Sequence, residues 1–374
     1  MSDLLLGPLR SLGSASGHDA RAVNRRSVLH AIASGAAVTR ADLARLTGLA
    51  RPTISSLVDE LSTDGLVIEL GPGISAGGKR PTLLGIDLSA RQVIAIDMSV
   101  RPFVGVLADL SGTEHAREVA SQGGDPTEAL AALVEELAAR ASAPIAGVGV
   151  GAPGLVDADG TVIEAAHLGW SDHPLRSLLE AETGLPVWVS NDANAAALAE
   201  FGRLPSERDG LVLVRVGDGI GAGLVLGARP HVGSSAAAGE FGHLVVQPDG
   251  LPCACGNTGC LETVASLPAI DRAIAARGDG EEAAEQAVVD AAEHLGAVIA
   301  HLVAILDVGD VVLSVERDGY GELMAAQVAA VVRTRLLRRV APNVAVRAAQ
   351  DPGGLVLDGA HALVLAGALG MVRP

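Results

Sequence analysis

The apolar residues of this chain recur with two different spacings, which divide it into a short N-terminal part and a longer remainder. In the segment RPTISSLVDELSTDG, apolar residues follow Ile54 at the spacing that places them on one face of a helix. Two earlier segments, NRRSVLHAIASG and VTRADLARLTGLA, are predicted to be helices that end near glycines. A strand over residues 66–70, a glycine-rich turn and a second strand beginning near Pro81 follow. The pattern predicts three helices and a two-stranded wing.

Capping residues mark the ends of these helices. Ordered structure is predicted to begin near Asn24. Thr39 is placed to cap the second helix, with Asp42 three residues later in an approximate capping box, and Gly48 ends that helix. Pro52 favours the first turn of the third helix, because a proline there loses no intrahelical hydrogen bond. This arrangement is typical of a helix-turn-helix domain.

From about Gly85 the chain alternates strand-like apolar runs with alanine-rich helices, which is typical of α/β folds. Asp125 and Pro126 predict the start of a long amphipathic helix. The run VWVSNDANAAALAEFG predicts a buried strand that brings Asn191 and Asp192 to the start of a helix, where α/β folds gather their ligands. The glycine turn in GDGIGAG allows close backbone approach, but such turns also occur in hairpins that bind nothing.

Composition and charge limit the class of protein. With 49% apolar residues among 374, the chain can form two or three domain cores. The sequence has no basic-plus-apolar signal region and no uninterrupted apolar run near the ~18 residues of a membrane span, so we expect a cytoplasmic protein without membrane contact. The net charge is -17, yet residues 20–82 carry eight basic and five acidic side chains. The N-terminal part is therefore the candidate phosphate-facing surface.

The third helix and the wing carry the candidate DNA contacts. In a helix-turn-helix protein, the N-terminal end of the recognition helix meets base edges and phosphates, and a basic wing turn can meet a phosphate or a minor groove. A small helical domain for dimerisation or protein contacts would share this pattern, so that alternative stays open. The predicted DNA-binding residues are Arg51, Thr53, Ser55, Ser56, Lys79 and Arg80.

All three cysteines lie in the segment CACGNTGC, and a histidine precedes them. In a reducing compartment such a cluster is more typical of a metal or redox site than of a disulfide. Three cysteines and one histidine form a closed tetrahedral set for structural Zn(II), with no open position for catalytic water. The alternative is three reduced surface thiols beside an incidental histidine. The predicted zinc ligands are His243, Cys253, Cys255 and Cys260.

The chain resembles the ROK family of bacterial repressors and sugar kinases, because GAPGLVDADG, HLGW, SNDANAAALAE, GDGIGAG, GEFGH and CACGNTGCLE occur in family order. The resemblance implies a zinc loop that shapes a sugar pocket, and it implies that Asp192 occupies the position of the kinase general base. His167 in HLGW replaces the more common asparagine, which puts the usual sugar preference in doubt. The implied sugar-binding residues are Asn191, Asp192, Glu240, His243 and Glu262.

Two departures from the family pattern favour a sensor over a kinase. The resemblance implies a turn of the form Asp-x-Gly-Gly-Thr for the ATP phosphates, but residues 97–101 read DMSVR and contain no glycine. It also implies a glycine pair that makes room for adenosine, where Ser314, Val315 and Glu316 stand instead. We therefore expect that ATP binding is lost and that Asp192 is retained for recognition of a sugar hydroxyl rather than for catalysis.

The sequence thus predicts an N-terminal winged helix-turn-helix (α+β) followed by a two-lobed α/β actin-like, ribonuclease H-like sugar-kinase fold. The expected function is a DNA-binding transcriptional repressor, a homodimer or homotetramer, that responds to a sugar or sugar phosphate. Two alternatives stay open: an ATP-dependent sugar kinase with a DNA-binding head, and a DNA-binding protein whose body docks a protein partner. The expected divisions are a flexible tail (1–20), the DNA-binding domain (21–84), a first lobe (85–192), a second lobe with the zinc loop (193–357) and a C-terminal helix returning to the first lobe (358–374).

Overall fold

The chain forms two compact units in a computed structural model that describes residues 17–73, 80–121, 123–205, 208–278 and 280–371. The first unit comprises Met1–Ser190 and Ala360–Pro374, and the second comprises Asn191–Gly359. The candidate sugar and zinc ligands all belong to the second unit, whereas the candidate DNA contacts belong to the first.

The first unit begins with three helices and a two-stranded antiparallel sheet: α1 (Gly17–Ala33), α2 (Arg40–Thr47), α3 (Arg51–Thr63), β1 (Val67–Pro72) and β2 (Thr82–Ile86). We call this region the head. The predicted caps are confirmed, because the Thr39 side chain accepts a hydrogen bond from the Asp42 N–H and Gly48 ends α2 in the left-handed conformation. The apolar stripe of α3 is also confirmed, with Ile54 and Leu61 fully buried.

Helix α1 begins at Gly17, earlier than the expected start near Asn24, so residues 17–20 are helical rather than part of a tail. The added turns are held by α3. Arg21 donates to the Ser56 hydroxyl and pairs with Glu60. Arg25 pairs with Asp64 at the end of α3. Sequence patterns miss such contacts, because the partners of Arg21 lie 35 and 39 positions further along the chain.

A five-stranded sheet forms the rest of the first unit, with strand order β10-β6-β3-β4-β5. Helices α4 and α5 pack on each other beside it, and α4 begins at the predicted Asp125 cap. A small three-stranded sheet, β7-β8-β9, follows β6. The elements are β3 (Gln92–Asp97), β4 (Val104–Asp109), β5 (Glu114–Val119), α4 (Pro126–Ala138), β6 (Ile145–Ala152), β7 (Leu155–Val156), β8 (Val162–Ala165), β9 (Trp170–His173), α5 (Leu175–Thr183) and β10 (Val187–Asn191).

The second unit is built on another five-stranded sheet, with order β13-β12-β11-β14-β15. One face of β11 packs against the long helices, and the other packs against α6 and the start of α11. The elements are α6 (Asp192–Phe201), β11 (Gly210–Val216), β12 (Ile220–Leu226), β13 (Arg229–Pro230), α7 (Glu262–Ala265), α8 (Leu267–Arg277), α9 (Glu281–Leu306), β14 (Asp310–Val315), α10 (Tyr320–Arg335), β15 (Ala345–Ala348) and α11 (Leu355–Val364).

The chain returns to the first unit at its end, where α11 is followed by a π turn, Leu365–Leu369. The π turn packs into an apolar core that it shares with the head and with the first sheet. Leu29 of α1, Leu61 of α3 and Val93 of β3 belong to this core together with Leu365. The head therefore shares an apolar core with the first sheet and the π turn.

Among the described residues, α9 is the one helix long and apolar enough to span a membrane by length and composition. No uninterrupted apolar run of that length was expected from the sequence, and acidic residues such as Asp290 interrupt this one. Half of the helix's most apolar window is buried within the protein, and Val288, Leu295 and Ile299 lie in the core of the second unit. These contacts are those of a core helix.

Candidate functional site

Four metal-binding side chains come together in the second unit. His243, Cys253, Cys255 and Cys260 each offer a ligand atom, and these atoms all lie within 4.8 Å of one another. Cys253 Sγ is 3.6 Å from His243 Nδ1, and Cys255 Sγ is 3.6 Å from Cys260 Sγ. A tetrahedral Zn(II) with bonds of about 2.0–2.3 Å separates its ligand atoms by roughly 3.5–3.8 Å. The donor set and its spacing therefore fit Zn(II).

The backbone of the cysteine loop is folded tightly on itself. The Cys253 N–H donates to the Asn257 carbonyl at 2.8 Å, and the Gly259 N–H donates to the Leu251 carbonyl at 2.7 Å. Gly259 has a φ of +75°, and a Cβ there would lie 1.5 Å from the Gln247 carbonyl oxygen. Only glycine fits this position, which brings Cys260 beside the other thiols.

The thiols differ in acidity. Burial and the neighbouring thiols raise the pKa of Cys260 to about 12. A backbone hydrogen bond from Asn257 lowers the pKa of Cys255. Because cysteine binds zinc as the thiolate, Zn(II) binding would release the Cys260 proton.

His243 faces the thiols with one ring nitrogen and a carboxylate with the other. Its Nδ1 lies toward Cys253, whereas its Nε2 lies 3.9 Å from Glu240 Oε2. A metal ion bound at Nδ1 would leave the proton on Nε2 and fix the orientation of the ring. One side chain can therefore hold zinc and present an N–H donor to a ligand hydroxyl.

Asn191 and Asp192 stand at the junction of β10 and α6, as the sequence predicts. Asn191 is the N-cap of α6, and its Oδ1 accepts a hydrogen bond from the Asn194 N–H at 3.1 Å. Its Nδ2 donates to Asp192 Oδ1 at 3.0 Å, and the Ala193 N–H donates to the same oxygen at 2.8 Å. The capping role and a ligand-binding role are compatible, because the cap fixes the direction of the Asp192 carboxylate.

Glu262 and Glu240 complete the predicted set. Glu262 Oε2 accepts from the Ile220 N–H at 3.1 Å, and a Cβ at Gly219 would lie 2.6 Å from that oxygen. Burial raises the pKa of Glu240, which the charge of His243 opposes and the charges of Asp192 and Glu262 reinforce. The five predicted sugar-binding residues therefore form one interacting cluster, rich in acceptors and with the imidazole as a donor.

Arg215 also belongs to this cluster, although it was not among the residues predicted from the sequence. It lies in β11 and is only 7% exposed. Its Nη1 donates to Asp192 Oδ2 at 2.5 Å, and its Nη2 pairs with the Glu316 carboxylate. The sequence does contain a signal for Arg215, because it is a single arginine within the apolar run LVLVRV. A charged side chain in a buried strand requires a partner of opposite charge.

Glu316 lies over the glycine turn that follows β11. A Cβ at Gly217 would be 2.4 Å from a Glu316 carboxylate oxygen. The Glu316 side chain is 37% exposed and pairs with Arg215. A carboxylate therefore covers part of a backbone turn that could otherwise approach a phosphate.

The turn after β3, in the first unit, is closed by its own side chains. Asp97 is buried, and its Oδ1 accepts from the Ser99 N–H at 2.7 Å and from the Ser99 hydroxyl at 2.6 Å. Met98 is also buried, whereas Val100 is 39% exposed. This turn differs from an open, glycine-rich phosphate loop, because the Asp97 carboxylate accepts the Ser99 N–H that an open loop would present to a phosphate.

The predicted DNA contacts lie at the N-terminal end of α3 and beside the wing. Arg51 is exposed, and Thr53 and Ser55 are partly exposed. Ser56 is exposed, but its hydroxyl accepts the hydrogen bond from Arg21. Arg80 is exposed at the start of the return toward β2, and Lys79 lies outside the described residues.

Comparisons with known proteins agree with this division of the chain. The sequence model of the ROK family matches residues 93–366, and that of the MarR family matches residues 23–73. The chain is 32% identical over 351 residues to a xylose repressor of Caldicellulosiruptor bescii, which covers 84% of this chain and 88% of that protein.

Two solved structures are similar. A ROK family transcriptional regulator, described as a homolog of the E. coli MLC protein, has a TM-score of 0.79 at 24% identity and covers 94% of this chain and 99% of its own. A ROK family glucokinase from Streptomyces griseus, in complex with glucose and AMPPNP, has a TM-score of 0.63 at 28% identity and covers 74% of this chain and 100% of its own. The regulator's similarity includes the head, which establishes the winged helix-turn-helix and kinase-like fold.

Proposed function

Because the chain belongs to the ROK family, we propose that it is a sugar-responsive DNA-binding repressor whose second unit binds the sugar. The observation that carries this proposal is the cluster of Asn191, Asp192, Glu240, His243 and Glu262, beside a cysteine-histidine metal set and in the same chain as a helix-turn-helix. Carboxylate, amide and imidazole groups in fixed directions suit the hydroxyls of a sugar. We also propose that the protein acts in the cytoplasm, where its operator DNA lies.

Zn(II) would be held by His243, Cys253, Cys255 and Cys260, as a structural ion. Bound there, it supplies rigidity and no open coordination position. The chain's own residues then do the binding: His243 presents its Nε2–H beside Glu240, and Glu262 supports the turn at Gly219. A loop with several glycines is held in place in this way without a core of its own.

We infer that the nucleotide site of the kinases is lost. Two features of the described residues support this inference. The Asp97 carboxylate accepts the Ser99 N–H within its own turn, and the Glu316 carboxylate lies against Gly217. A carboxylate at a phosphate-binding turn repels the polyphosphate. The Glu316 carboxylate cannot move away from the turn without breaking its ion pair with Arg215. Asp192 is then a recognition group rather than a general base.

The head would bind operator DNA through the N-terminal end of α3, where Arg51, Thr53 and Ser55 are accessible, and through the wing at Lys79 and Arg80. Such a small surface gives modest affinity for a single half-site. We therefore propose a homodimer or a higher homo-oligomer that binds paired half-sites.

The competing function is an ATP-dependent sugar kinase, which the retained Asp192 and the similarity to a ROK glucokinase favour. A thermal-shift experiment separates the two. Zinc-loaded protein is titrated with D-xylose, D-glucose, N-acetylhexosamines and sugar phosphates, each with and without Mg-ATP. A sugar at about 100 times its Kd stabilises the native state by about 2.7 kcal/mol. We expect one sugar to raise Tm. Mg-ATP should change neither the Tm nor the amount of sugar in solution. Stabilisation by Mg-ATP with consumption of sugar would establish the kinase instead.

A further inference from the structure

Arg215 is a buried charge of the second unit that two carboxylates hold. It is 7% exposed in β11, among the apolar residues of a strand buried along its whole length. Burying a guanidinium is unfavourable unless carboxylates both neutralise it and accept its hydrogen bonds. At its two terminal nitrogens Arg215 meets this condition, with Asp192 on one and Glu316 on the other. The strand thus carries a cation whose partners come from two other segments.

The hydrogen bonds around Asp192 leave its carboxylate little freedom. Its Oδ1 accepts from the Ala193 N–H and from Asn191 Nδ2, at 2.8 and 3.0 Å. Its Oδ2 accepts from Arg215 Nη1 at 2.5 Å. Donors on both oxygens prevent rotation about the last side-chain bond, and Arg215 is the partner that holds the second oxygen.

Asp192 nevertheless stays available to a ligand. Its side chain is 20% exposed, and a carboxylate oxygen has lone-pair capacity for more than one donor. An acceptor held in one direction discriminates between hydroxyls better than a mobile one, because a misplaced hydroxyl leaves polar groups unpaired.

We propose that Arg215 is a positioning residue for effector recognition, fixing the Asp192 carboxylate in the direction in which it accepts one sugar hydroxyl. Glu316 contributes by pairing with the other terminal nitrogen of the guanidinium, Nη2. The inference rests on the proposed sugar-binding function. It differs from a purely structural ion pair in one respect: loss of Arg215 affects the sugar hydroxyl that meets Asp192 and leaves the rest of the sugar's affinity intact.

The chain offers a matched control in the same unit. Arg347 pairs with Glu200, whose side chain is 1% exposed, and Arg203 pairs with the same carboxylate. Arg347→Met removes a guanidinium that pairs with a carboxylate of the same unit, as Arg215→Met does, but it leaves Asp192 untouched. Any loss of sugar affinity caused by general weakening of the second unit therefore occurs in both variants.

The experiment is isothermal titration calorimetry of the full zinc-loaded protein with D-xylose, D-glucose and the monodeoxy analogues of each. The wild type should bind one monodeoxy analogue at least about tenfold more weakly than the parent sugar. The Asp192→Asn variant identifies this analogue as the one that lacks the hydroxyl that meets Asp192. Arg215→Met should bind the parent sugar about tenfold more weakly, yet bind that analogue within about twofold of the wild type. Arg347→Met should match the wild type for every ligand.

Three results would overturn the inference. The first is an Arg215→Met protein that binds the parent sugar as the wild type does, and the second is an equal loss for the parent and the analogue. If Arg215→Met fails to fold, Arg215→Lys replaces it, because a single ammonium cannot hold both carboxylates and the same selective loss is expected. The third result is an Arg215→Lys protein that discriminates between the parent sugar and the analogue as well as the wild type does. A wild type that binds neither these sugars nor the N-acetylhexosamines and sugar phosphates of the thermal-shift experiment would instead refute the proposed function, and the inference with it.

Discussion

The shared core of the first unit predicts that the head and the sheet unfold together, and Leu365→Ala tests this. Leu365 is fully buried in the π turn, within a cluster that includes Leu29 of the head and Val93 of the sheet. Replacing a fully buried leucine by alanine removes apolar contacts and leaves a cavity where neighbouring elements cannot close in. Such changes cost about 2–5 kcal/mol, and we expect about 3 kcal/mol here.

The assay is urea and thermal unfolding followed by tryptophan fluorescence. Both tryptophans, Trp170 and Trp188, lie in the first unit, so the signal reports that unit. For a unit of roughly 200 residues, 3 kcal/mol lowers Tm by about 6–12 °C. Operator binding should be lost in the same transition, because the head shares its core with the sheet and the π turn.

The control is Leu178→Ala, a leucine-to-alanine change in α5 of the same unit at a side chain that is 37% exposed. It should cost well under half as much, about 1 kcal/mol or less. If Leu365→Ala costs no more than Leu178→Ala, or if operator binding is lost well before the tryptophan signal changes, the head is an independent domain and the reasoning is wrong.

Three other predictions follow from local geometry. In Gly367→Ala the new Cβ meets the Trp188 indole at about 2.0 Å, so the first unit should lose about 1–3 kcal/mol, measured by the same fluorescence assay; an unchanged Tm would contradict the packing. Chelation of zinc should lower the calorimetric Tm and abolish sugar binding, with recovery on adding Zn(II) and none on adding Mg(II); a chelator-insensitive protein would exclude a structural ion. Burial lowers the pKa of His30, although a backbone hydrogen bond at Gly370 opposes this, so the unfolded chain takes up the proton first as pH falls below about 6.5. The first unit should therefore lose stability on acidification below that pH, and His30→Gln should flatten the dependence; an equal slope in both proteins would refute the assignment.

Local chemistry made much of the fold predictable. The side chains of Thr39 and Asp125 accept hydrogen bonds from backbone N–H groups two or three residues later, and Gly48 ends its helix in the left-handed conformation. Because these interactions are local, they can be predicted from the sequence alone. The grouping of one histidine and three cysteines was also predictable, because metal ligands have few residue types and short spacings.

Long-range pairings were not predictable in this way. Arg215 and Glu316 are 101 positions apart, and only the folded sheet brings them together. The early start of α1 depends on Arg21 and Arg25 reaching α3, and the shared core depends on Leu365 returning to the head. Each of these is a tertiary contact with no trace in the local periodicity, apart from the isolated arginine in β11.

Sugar control of DNA binding is tested most directly by fluorescence anisotropy with an operator duplex selected from genomic fragments by the protein itself. The zinc-loaded protein is titrated into labelled operator at fixed salt, with no sugar, with a saturating sugar identified by thermal shift, and with that sugar plus Mg-ATP. We expect the sugar to weaken operator binding by at least about tenfold, a coupling of about 1.4 kcal/mol, and Mg-ATP to leave operator binding unchanged. Operator affinity that is unchanged by a sugar known to be bound, or that changes only when Mg-ATP is present, would contradict this expectation.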